Sequence, residues 1–342
     1  MSAAMSTTDN SFDGKRVFLT GADGFIGSHL AEALVRSGAK VTALALYNSF
    51  GTRGWLDETA EDVRAEMHIE LGDVRDGAQM RSFAEGSDII FHLAALIAIP
   101  FSYDAPGSYV ETNVKGTVNI LAASRSAGVR RVVNTSTSEV YGSAQFTPIT
   151  EDHPLVGQSP YSASKIAADM MADSFYRSFE LPVVTLRPFN TYGPRQGERA
   201  VISTIIRQIL DDSCSEIRLG DLTPERDFNF VTDTVRSFIL AADLGDEHLG
   251  QAFNSGSGRM VSIAQLLDLL RDISGSDKPV VTEDARKRPE KSEVMALMAD
   301  AGRFNEASGW SQEIGLEEGL KQTLEWWRGR MDRIRPDASY MV

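Results

Sequence analysis

The first forty residues join a short apolar segment, a glycine-rich turn and an amphipathic segment, in that order. Residues 16–20 read as a buried strand, residues 21–27 space three glycines as GxxGxxG, and residues 26–37 have helical apolar periodicity. Glycines let the main chain turn tightly and approach a pyrophosphate, whose charge then faces free N–H groups at the start of a helix. Further buried strands are predicted at residues 40–46, 67–71 and 88–93. This alternation predicts an α/β fold with a doubly wound parallel sheet.

The second half of the chain has a different pattern, with helices separated by short strands. We predict helices at 201–210, 261–273 and 316–328 and strands at 216–219 and 279–282. These elements suggest a smaller mixed α/β lobe beside a Rossmann-type sheet domain, with the ligand in the cleft between them. The predicted boundaries are 15–187 plus about 224–256 for the sheet domain, 188–223 and 257–330 for the lobe, and 1–14 for a flexible tail.

The strand ends carry the residues expected to hold a dinucleotide. A carboxylate at the end of the second strand normally binds the ribose hydroxyls of NAD, whereas an arginine there accepts the 2′-phosphate of NADP. Residues 43–50 contain neither, and Arg53 lies six residues beyond the strand, where a solvated role is more common. NAD is favoured and NADP is left open. Asp73 and Val74 follow the third strand and can hold the adenine, and small residues follow the fourth strand at 93–95.

Tyr161 and Lys165 lie four residues apart on a predicted helix and therefore share one face. An ammonium beside a phenol stabilises the phenolate, which predicts a fall in the pKa of Tyr161 from its ordinary value of about 10. Thr137, predicted at the end of the fifth strand, can hydrogen-bond the same sugar hydroxyl as Tyr161. These three residues suit the oxidation of a secondary alcohol by hydride transfer.

Taken together, the glycine turn, Asp73, the run 92–95, Asn113, the stretch 136–142 and the Tyr161/Lys165 pair resemble the extended short-chain dehydrogenase/reductase family. The resemblance covers residues 15–328 or so. It implies a cofactor site that includes Gly21, Gly24, Phe25, Ile26, Gly27, Asp73, Val74, Leu93, Ala94, Ala95, Asn113, Tyr161 and Lys165.

Within that family the chain resembles the nucleotide-sugar 4,6-dehydratases, most closely those that act on nucleotide-linked N-acetylglucosamine in legionaminic-acid-type pathways. Residues 47–57, 187–196 and 226–231 carry this closer resemblance. It implies a redox-neutral hydro-lyase cycle in which C4 is oxidised, Glu139 takes the C5 proton, water leaves from C6 and the hydride returns to C6. The sequence does not indicate which nucleotide carries the sugar, UDP or GDP among others.

Residues 137–139 read Thr-Ser-Glu, whereas the dTDP-glucose dehydratases have Thr-Asp-Glu at this place. Ser138 is too weak an acid to replace that aspartate. GDP-mannose dehydratases share Thr-Ser-Glu, which suggests that Glu139 acts first as base and then as acid. UDP-glucuronate decarboxylases share it too, so decarboxylation is one alternative and 4-epimerisation is another. Glu139 could also only cap or pair within its loop.

Basic residues in the second half are expected near a substrate diphosphate. The resemblance assigns Arg226 and Arg288 to the phosphates and adds the amide of Asn190. Arg195 can serve either the substrate or its own loop, and Arg187 belongs to the same basic group. Solvated surface is the simpler interpretation of Arg199 and Lys287.

Composition limits the other classes of function. A net charge of −14 over 342 residues argues against nucleic-acid or anionic-membrane partners, and a single cysteine, Cys214, fits a reducing compartment. We expect a cytoplasmic protein without a membrane span or a metal, in which the scattered histidines are structural. The resemblance implies a homodimer through helices at 108–127 and 160–179. A redox-sensing or scaffold protein is the remaining alternative, although such a chain would be expected to lose Tyr161, Lys165 or Glu139.

Overall fold

The computed structural model describes residues 12–283 and 294–333. The strands are β1 (Arg16–Thr20), β2 (Lys40–Leu46), β3 (His68–Gly72), β4 (Ile89–His92), β5 (Arg131–Thr135), β6 (Val183–Pro188), β7 (Asn190–Tyr192), β8 (Ile217–Leu219), β9 (Glu225–Phe230), β10 (Ala252–Ser255), β11 (Met260–Ser262), β12 (Val280–Thr282) and β13 (Ala296–Leu297). The helices are α1 (Phe25–Arg36), α2 (Glu61–Ala65), α3 (Gly77–Ala84), α4 (Ile99–Asp104), α5 (Pro106–Tyr109), α6 (Gly116–Ala127), α7 (Pro160–Phe179), α8 (Val201–Leu210), α9 (Val231–Asp243), α10 (Ile263–Ser274), α11 (Gly302–Ser308) and α12 (Leu316–Arg328).

Seven parallel strands form the larger sheet, in the order β10-β6-β5-β4-β1-β2-β3. All four residues of β4 are buried, as expected for a strand covered by helices on both faces. Helices α1 and α9 cover one face, and α3, α6 and α7 cover the other. The strand order reverses between β1 and β4, which places the ligand crevice at their carboxyl ends. The predicted doubly wound parallel sheet is confirmed.

The smaller lobe is built around a second sheet. Strand β9 pairs with β11 in antiparallel fashion and with β13 and β7 in parallel fashion, and β8 pairs with β12. The prediction that residues 224–256 belong to the sheet domain is wrong for β9, whereas α9 and β10 of that range do join the large sheet. Strand β9 is held in the lobe because its buried Asp227 accepts main-chain hydrogen bonds from Ser257, Gly258 and Ala299.

Two local features differ from the sequence expectation. Phe12 is fully buried and packs 6.3 Å from Phe91, and Gly14 N donates to Gly38 O at 3.0 Å, so the predicted tail of 1–14 already contacts the sheet domain at Phe12. Residues 1–11 lie outside the described part of the chain. The predicted helix at 108–127 is divided into α5, a π-helical segment (Val110–Lys115) and α6. No helix in the described ranges is long and apolar enough to cross a membrane.

Candidate active site

The glycine turn between β1 and α1 has no room for side chains at its contacts. Gly21 has φ +70°, and a Cβ there would lie 2.7 Å from Ala94 N, while a Cβ on Gly27 would lie 2.0 Å from Gly21 O. Helix α1 starts at Gly24 without a side-chain cap and has no acidic residue in its first turn. The turn therefore presents uncapped N–H groups, which fit the pyrophosphate of a dinucleotide. Phe25 and Ile26 occupy this first turn, and their contact with the cofactor stays a prediction.

The side chains near the ends of β2 and β3 are tied within the protein. Arg53 Nε donates to Asp57 Oδ1 at 2.8 Å, so the arginine considered for a 2′-phosphate is paired inside its own loop. Asp73 lies after β3 as predicted, and Arg75 engages its carboxylate and lowers its pKa. Val74 is buried beside it, within 2.8 Å of where a Cβ on Gly116 would lie.

His92 holds the segment that follows β4. Its Nδ1 lies 2.8 Å from Thr20 Oγ1, and its Nε2 lies 3.0 Å from Thr117 Oγ1. Because the Thr117 hydroxyl donates to Asn113 O, the histidine must donate from Nε2 and accept at Nδ1. Burial lowers the pKa of His92 to about 3, which keeps the ring neutral. Thr20 Oγ1 also accepts from Ala94 N, so this chain of bonds fixes the small residues 93–95.

Asn113 connects the segment after β4 to the helix that carries Tyr161. Its Oδ1 accepts from Leu96 N at 2.8 Å, and its Nδ2 donates to Leu96 O and to Ser164 Oγ, both at 2.9 Å. The side chain is 1% exposed. Asn113 therefore positions these two segments, and its place in the cofactor site, which the resemblance implies, stays a prediction.

Tyr161 lies in the first turn of α7, which Ser159 and Ser162 cap reciprocally. The ring is buried and packs edge-on against Tyr109, with 6.2 Å between centroids. Burial raises the pKa of Tyr161 and the nearby Glu139 charge raises it further, while a hydrogen bond with Thr137 lowers it. Thr137 lies two residues beyond the end of β5, and its Oγ1 accepts from Glu139 N at 3.2 Å.

Lys165 has a different partner from the one expected. Its Nζ donates to Thr135 O at 2.6 Å, and burial lowers its pKa to about 8, partly opposed by Asp169. The prediction that this ammonium lowers the pKa of Tyr161 is wrong in this structure, because desolvation of the phenol dominates and the ammonium is bonded to the main chain.

Glu139 is partly exposed in a short 3-10 helix, Ser138–Tyr141, whereas Ser138 is buried. Within the described ranges, no hydrogen bond or ion pair is made by the Glu139 carboxylate. Only its main-chain N–H takes part in the cap that Thr137 provides. The alternative that Glu139 pairs within its loop is therefore not supported by its side-chain contacts.

A buried polar chain runs behind the catalytic helix. Asp169 Oδ2 accepts from Ser136 Oγ at 2.8 Å and from Arg187 Nε at 3.1 Å. Arg187 Nη1 donates to the Tyr141 hydroxyl at 3.0 Å, and that hydroxyl donates to Asn254 Oδ1 at 2.6 Å. Arg187 is therefore buried and bonded to Asp169 and Tyr141, so the expectation that it lies near the substrate phosphates is wrong in this structure. Sequence reasoning missed Asp169, although its place four residues after Lys165 puts it on the same helical face.

The predicted substrate residues fall in three groups. Asn190 in β7 has a buried Oδ1 without a hydrogen-bond partner in the described chain, and Arg226 is buried in β9 and donates to Glu225 O. Arg195 donates to Glu32 Oε1 at 2.5 Å and to Ser28 Oγ at 3.2 Å, both on α1 and not in its own loop, and its contact with substrate stays a prediction. Arg288 lies outside the described residues. No metal-binding group of His, Cys, Asp or Glu is found in the described ranges.

The fold and the glycine turn are those of a dinucleotide-binding protein, and a tyrosine, a threonine and a carboxylate lie near one another beyond the carboxyl end of β5. A family model described as GDP-mannose 4,6 dehydratase matches residues 18–323. The chain belongs to the nucleotide-sugar epimerase/dehydratase family of extended short-chain dehydrogenases/reductases.

This chain is similar both to 4-epimerases and to 4,6-dehydratases of nucleotide sugars. A UDP-glucose 4-epimerase of Mycolicibacterium smegmatis is 33% identical, over 92% of this chain and 99% of its own length. A dTDP-glucose 4,6-dehydratase of Streptomyces griseus is also 33% identical, over 91% and 93%. The dTDP-glucose 4,6-dehydratase DesIV of Streptomyces venezuelae, solved with NAD, has a TM-score of 0.85 at 30% identity and covers 94% of this chain and 99% of its own. Other similar structures were solved with NAD as well, and NAD as the predicted cofactor is confirmed.

Proposed function

We propose that this protein is an NAD-dependent nucleotide-sugar 4,6-dehydratase. The observation that carries the proposal is the Glu139 carboxylate, which lies near enough to Tyr161 to raise its pKa and has no side-chain partner in the described chain. An epimerase needs only a keto intermediate that can turn over in the site. Elimination of water needs a base for the proton next to the ketone, and a carboxylate held at this place supplies one.

The residues divide the work of the reaction. NAD supplies the hydride acceptor and donor when it is bound, and the glycine turn with residues 93–95 would hold it. Thr137 and Tyr161 would bind the sugar 4-hydroxyl, and the Tyr161 oxygen would take its proton as C4 is oxidised. This role requires Tyr161 to be a phenolate, so positive charge from Lys165 and the bound cofactor must offset the rise in its pKa that burial causes in the cofactor-free protein. Lys165 would place a positive charge next to Tyr161 and would bind the nicotinamide ribose of the cofactor. Glu139 takes the C5 proton and gives it to the hydroxyl that leaves C6 as water, since the Ser138 hydroxyl is too weak an acid. When hydride returns to C6, C5 regains a proton from solvent, and the proton released from the 4-hydroxyl balances it.

The substrate we propose is UDP- or GDP-linked N-acetylglucosamine. The resemblance of residues 47–57, 187–196 and 226–231 to the dehydratases of legionaminic-acid-type pathways supports this choice. The unpartnered amide oxygen of Asn190 and the buried guanidinium of Arg226 suit a polar, charged ligand in the lobe.

Mass spectrometry of the products tests the reaction class. The purified protein is incubated with NAD+ and with UDP- and GDP-linked N-acetylglucosamine, glucose, mannose and glucuronate. A product lighter by one water is expected from one sugar. Loss of carbon dioxide from the glucuronate would make the protein a decarboxylase. An unchanged mass with altered chromatography would make it a 4-epimerase, like the Mycolicibacterium smegmatis relative.

Substitution of Glu139 separates the two half-reactions. We expect Glu139→Gln to retain reduction of bound NAD+ by substrate but to slow water loss by about 10²- to 10⁴-fold, because the amide cannot take the C5 proton. The measurement is the nicotinamide absorbance together with product mass. Glu317→Gln on α12, an exposed glutamate paired with Lys321, is the control and should behave as wild type. Undiminished water loss in Glu139→Gln would contradict the role given to Glu139.

A further inference from the structure

The end of β2 lacks the acid that usually receives the adenosine ribose in a sheet of this kind. Its last residues are Leu44, Ala45 and Leu46, and the loop that follows is folded around Asn48 by main-chain bonds to its amide. NAD is nevertheless the cofactor of the family. The ribose hydroxyls therefore require an acceptor from another element.

Asp23, in the glycine turn, reaches the end of β2. Ala22 N donates to Leu44 O at 3.1 Å, and Leu46 N donates to Asp23 Oδ2 at 3.1 Å. The carboxylate therefore lies between the turn that faces the pyrophosphate and the strand end that faces the ribose. Since these two sites flank the adenosine half of a dinucleotide in folds of this kind, the carboxylate lies in the region where its ribose would bind.

The following loop closes around the same residue. Trp55 N donates to Asp23 O at 3.0 Å, and a Cβ on Gly54 would lie 2.5 Å from that oxygen. The main chain of Asp23 is thus fixed by the 54–55 segment, and its carboxylate is fixed by the end of β2. A carboxylate placed in this way is preorganised for a ligand.

The charge of Asp23 is not neutralised by a neighbouring cation. In the described chain its carboxylate forms no ion pair, and its hydrogen bonds come from main-chain N–H groups. Burial raises its pKa and those N–H groups oppose the rise. Arg53, the nearest arginine in the following loop, is bonded to Asp57 instead.

We propose that Asp23 supplies, from the glycine turn, the carboxylate that accepts hydrogen bonds from the adenosine ribose hydroxyls and repels the 2′-phosphate of NADP. This inference deepens the cofactor specificity of the function proposed above and rests on its NAD dependence. It makes the turn, rather than β2, the place where the chain distinguishes the two cofactors.

Competition between the two cofactors tests the proposal without any turnover. The holoprotein is equilibrated with NAD+ and rising NADP+, and native mass spectrometry gives the occupancy of each. We expect Asp23→Asn, which keeps an oxygen acceptor for Leu46 N but loses the charge, to shift the occupancy ratio towards NADP by about tenfold or more, because like charges no longer meet. Asp23→Ser removes the charge with a smaller side chain and should shift the ratio in the same direction.

Asp88→Asn is the matched control. Asp88 also accepts a main-chain bond between strands, from Arg16 N at 2.8 Å, but at the amino end of β1, away from the cleft. The ratio of NADP to NAD occupancy in the Asp88→Asn variant should equal that of the wild-type protein. An unchanged ratio in both Asp23 variants would overturn the proposal. If wild type itself binds NADP in preference to NAD, the proposed NAD-dependent function fails first, so the two failures are distinguishable.

Discussion

Lys165 lies in surroundings that favour its neutral form. Its side chain is 3% exposed, and burial lowers its pKa from 10.5 to about 8. The unfolded chain therefore binds this proton more tightly than the folded chain does. Below about pH 8 the buried charge costs stability, and as pH rises from about 8 through 10.5 that cost disappears. The residue is retained for chemistry at the expense of stability.

We predict that Lys165→Met stabilises the cofactor-free protein at neutral pH while abolishing turnover. The free energy of unfolding should rise by about 1–3 kcal/mol, reduced somewhat because Asp169 loses an attractive charge. Urea unfolding at several pH values measures it. The gain should be largest below pH 8 and approach zero near the ordinary pKa of lysine. A gain that does not change with pH would contradict the assignment to the buried charge.

The sequence predicted the residue pairs that are close along the chain better than those that are distant. Tyr161 and Lys165 are one helical turn apart, so their shared face follows from spacing alone. Arg195 and Arg187 were grouped with the basic residues expected near a diphosphate, but the ion-pair partners that the structure gives them, Glu32 and Asp169, are contributed by other elements of the fold. The partner of a charged residue depends on how elements pack, which one sequence does not specify.

The π-helical segment between α5 and α6 is the element that sequence periodicity did not predict. Apolar spacing predicts a helical face, but it does not distinguish the hydrogen-bond pattern of one turn from that of the next. The segment contains Asn113, which binds both the chain after β4 and Ser164 of α7. By contrast, the ranges of β2, α7, α8 and α12 were predicted with the bounds that the structure has, because each has a long regular pattern.

We predict that Asn113→Ala weakens both the fold and the site. The variant leaves Leu96 N–H and C=O without partners, so the free energy of unfolding should fall by about 2–4 kcal/mol. Turnover should fall through kcat more than through KM, because α7 carries Tyr161 and Lys165. Denaturant unfolding and steady-state kinetics measure both effects.

Asn119→Ala is the control for that prediction. Asn119 on α6 makes a single bond, from Nδ2 to Val74 O at 2.9 Å, so its loss should cost about 1 kcal/mol. Equal losses in the two variants, with kcat unchanged in both, would show that Asn113 does not position α7.

One face of α7 has small and apolar side chains that are partly or fully exposed. Ala163, Ala167, Met170 and Ser174 follow helical spacing along it, and Met170 is 48% exposed. Val110, in the neighbouring π-helical segment, is 54% exposed. This is the region that the resemblance implies for a homodimer, and we propose that a second copy covers it.

We predict that the protein has the mass of two chains in solution and that Met170→Glu converts it to single chains, because a carboxylate would be buried in the contact. Light scattering after size-exclusion chromatography measures the mass. Met295→Glu, at a methionine that is 49% exposed near β13, should leave the mass unchanged. A wild-type protein with the mass of one chain would contradict the proposal.

The buried chain of polar side chains from Asp169 through Arg187 and Tyr141 to Asn254 joins α7 to β6 and β10. Removing one member would leave the next with an uncompensated charge or an unbonded donor, and such losses cost more than the bonds themselves contribute. These four positions should therefore covary among related sequences: a lineage that replaces the arginine replaces the aspartate with it. Such joint changes would show that the buried polar contacts between α7 and the edge strand β10 have been kept together during evolution.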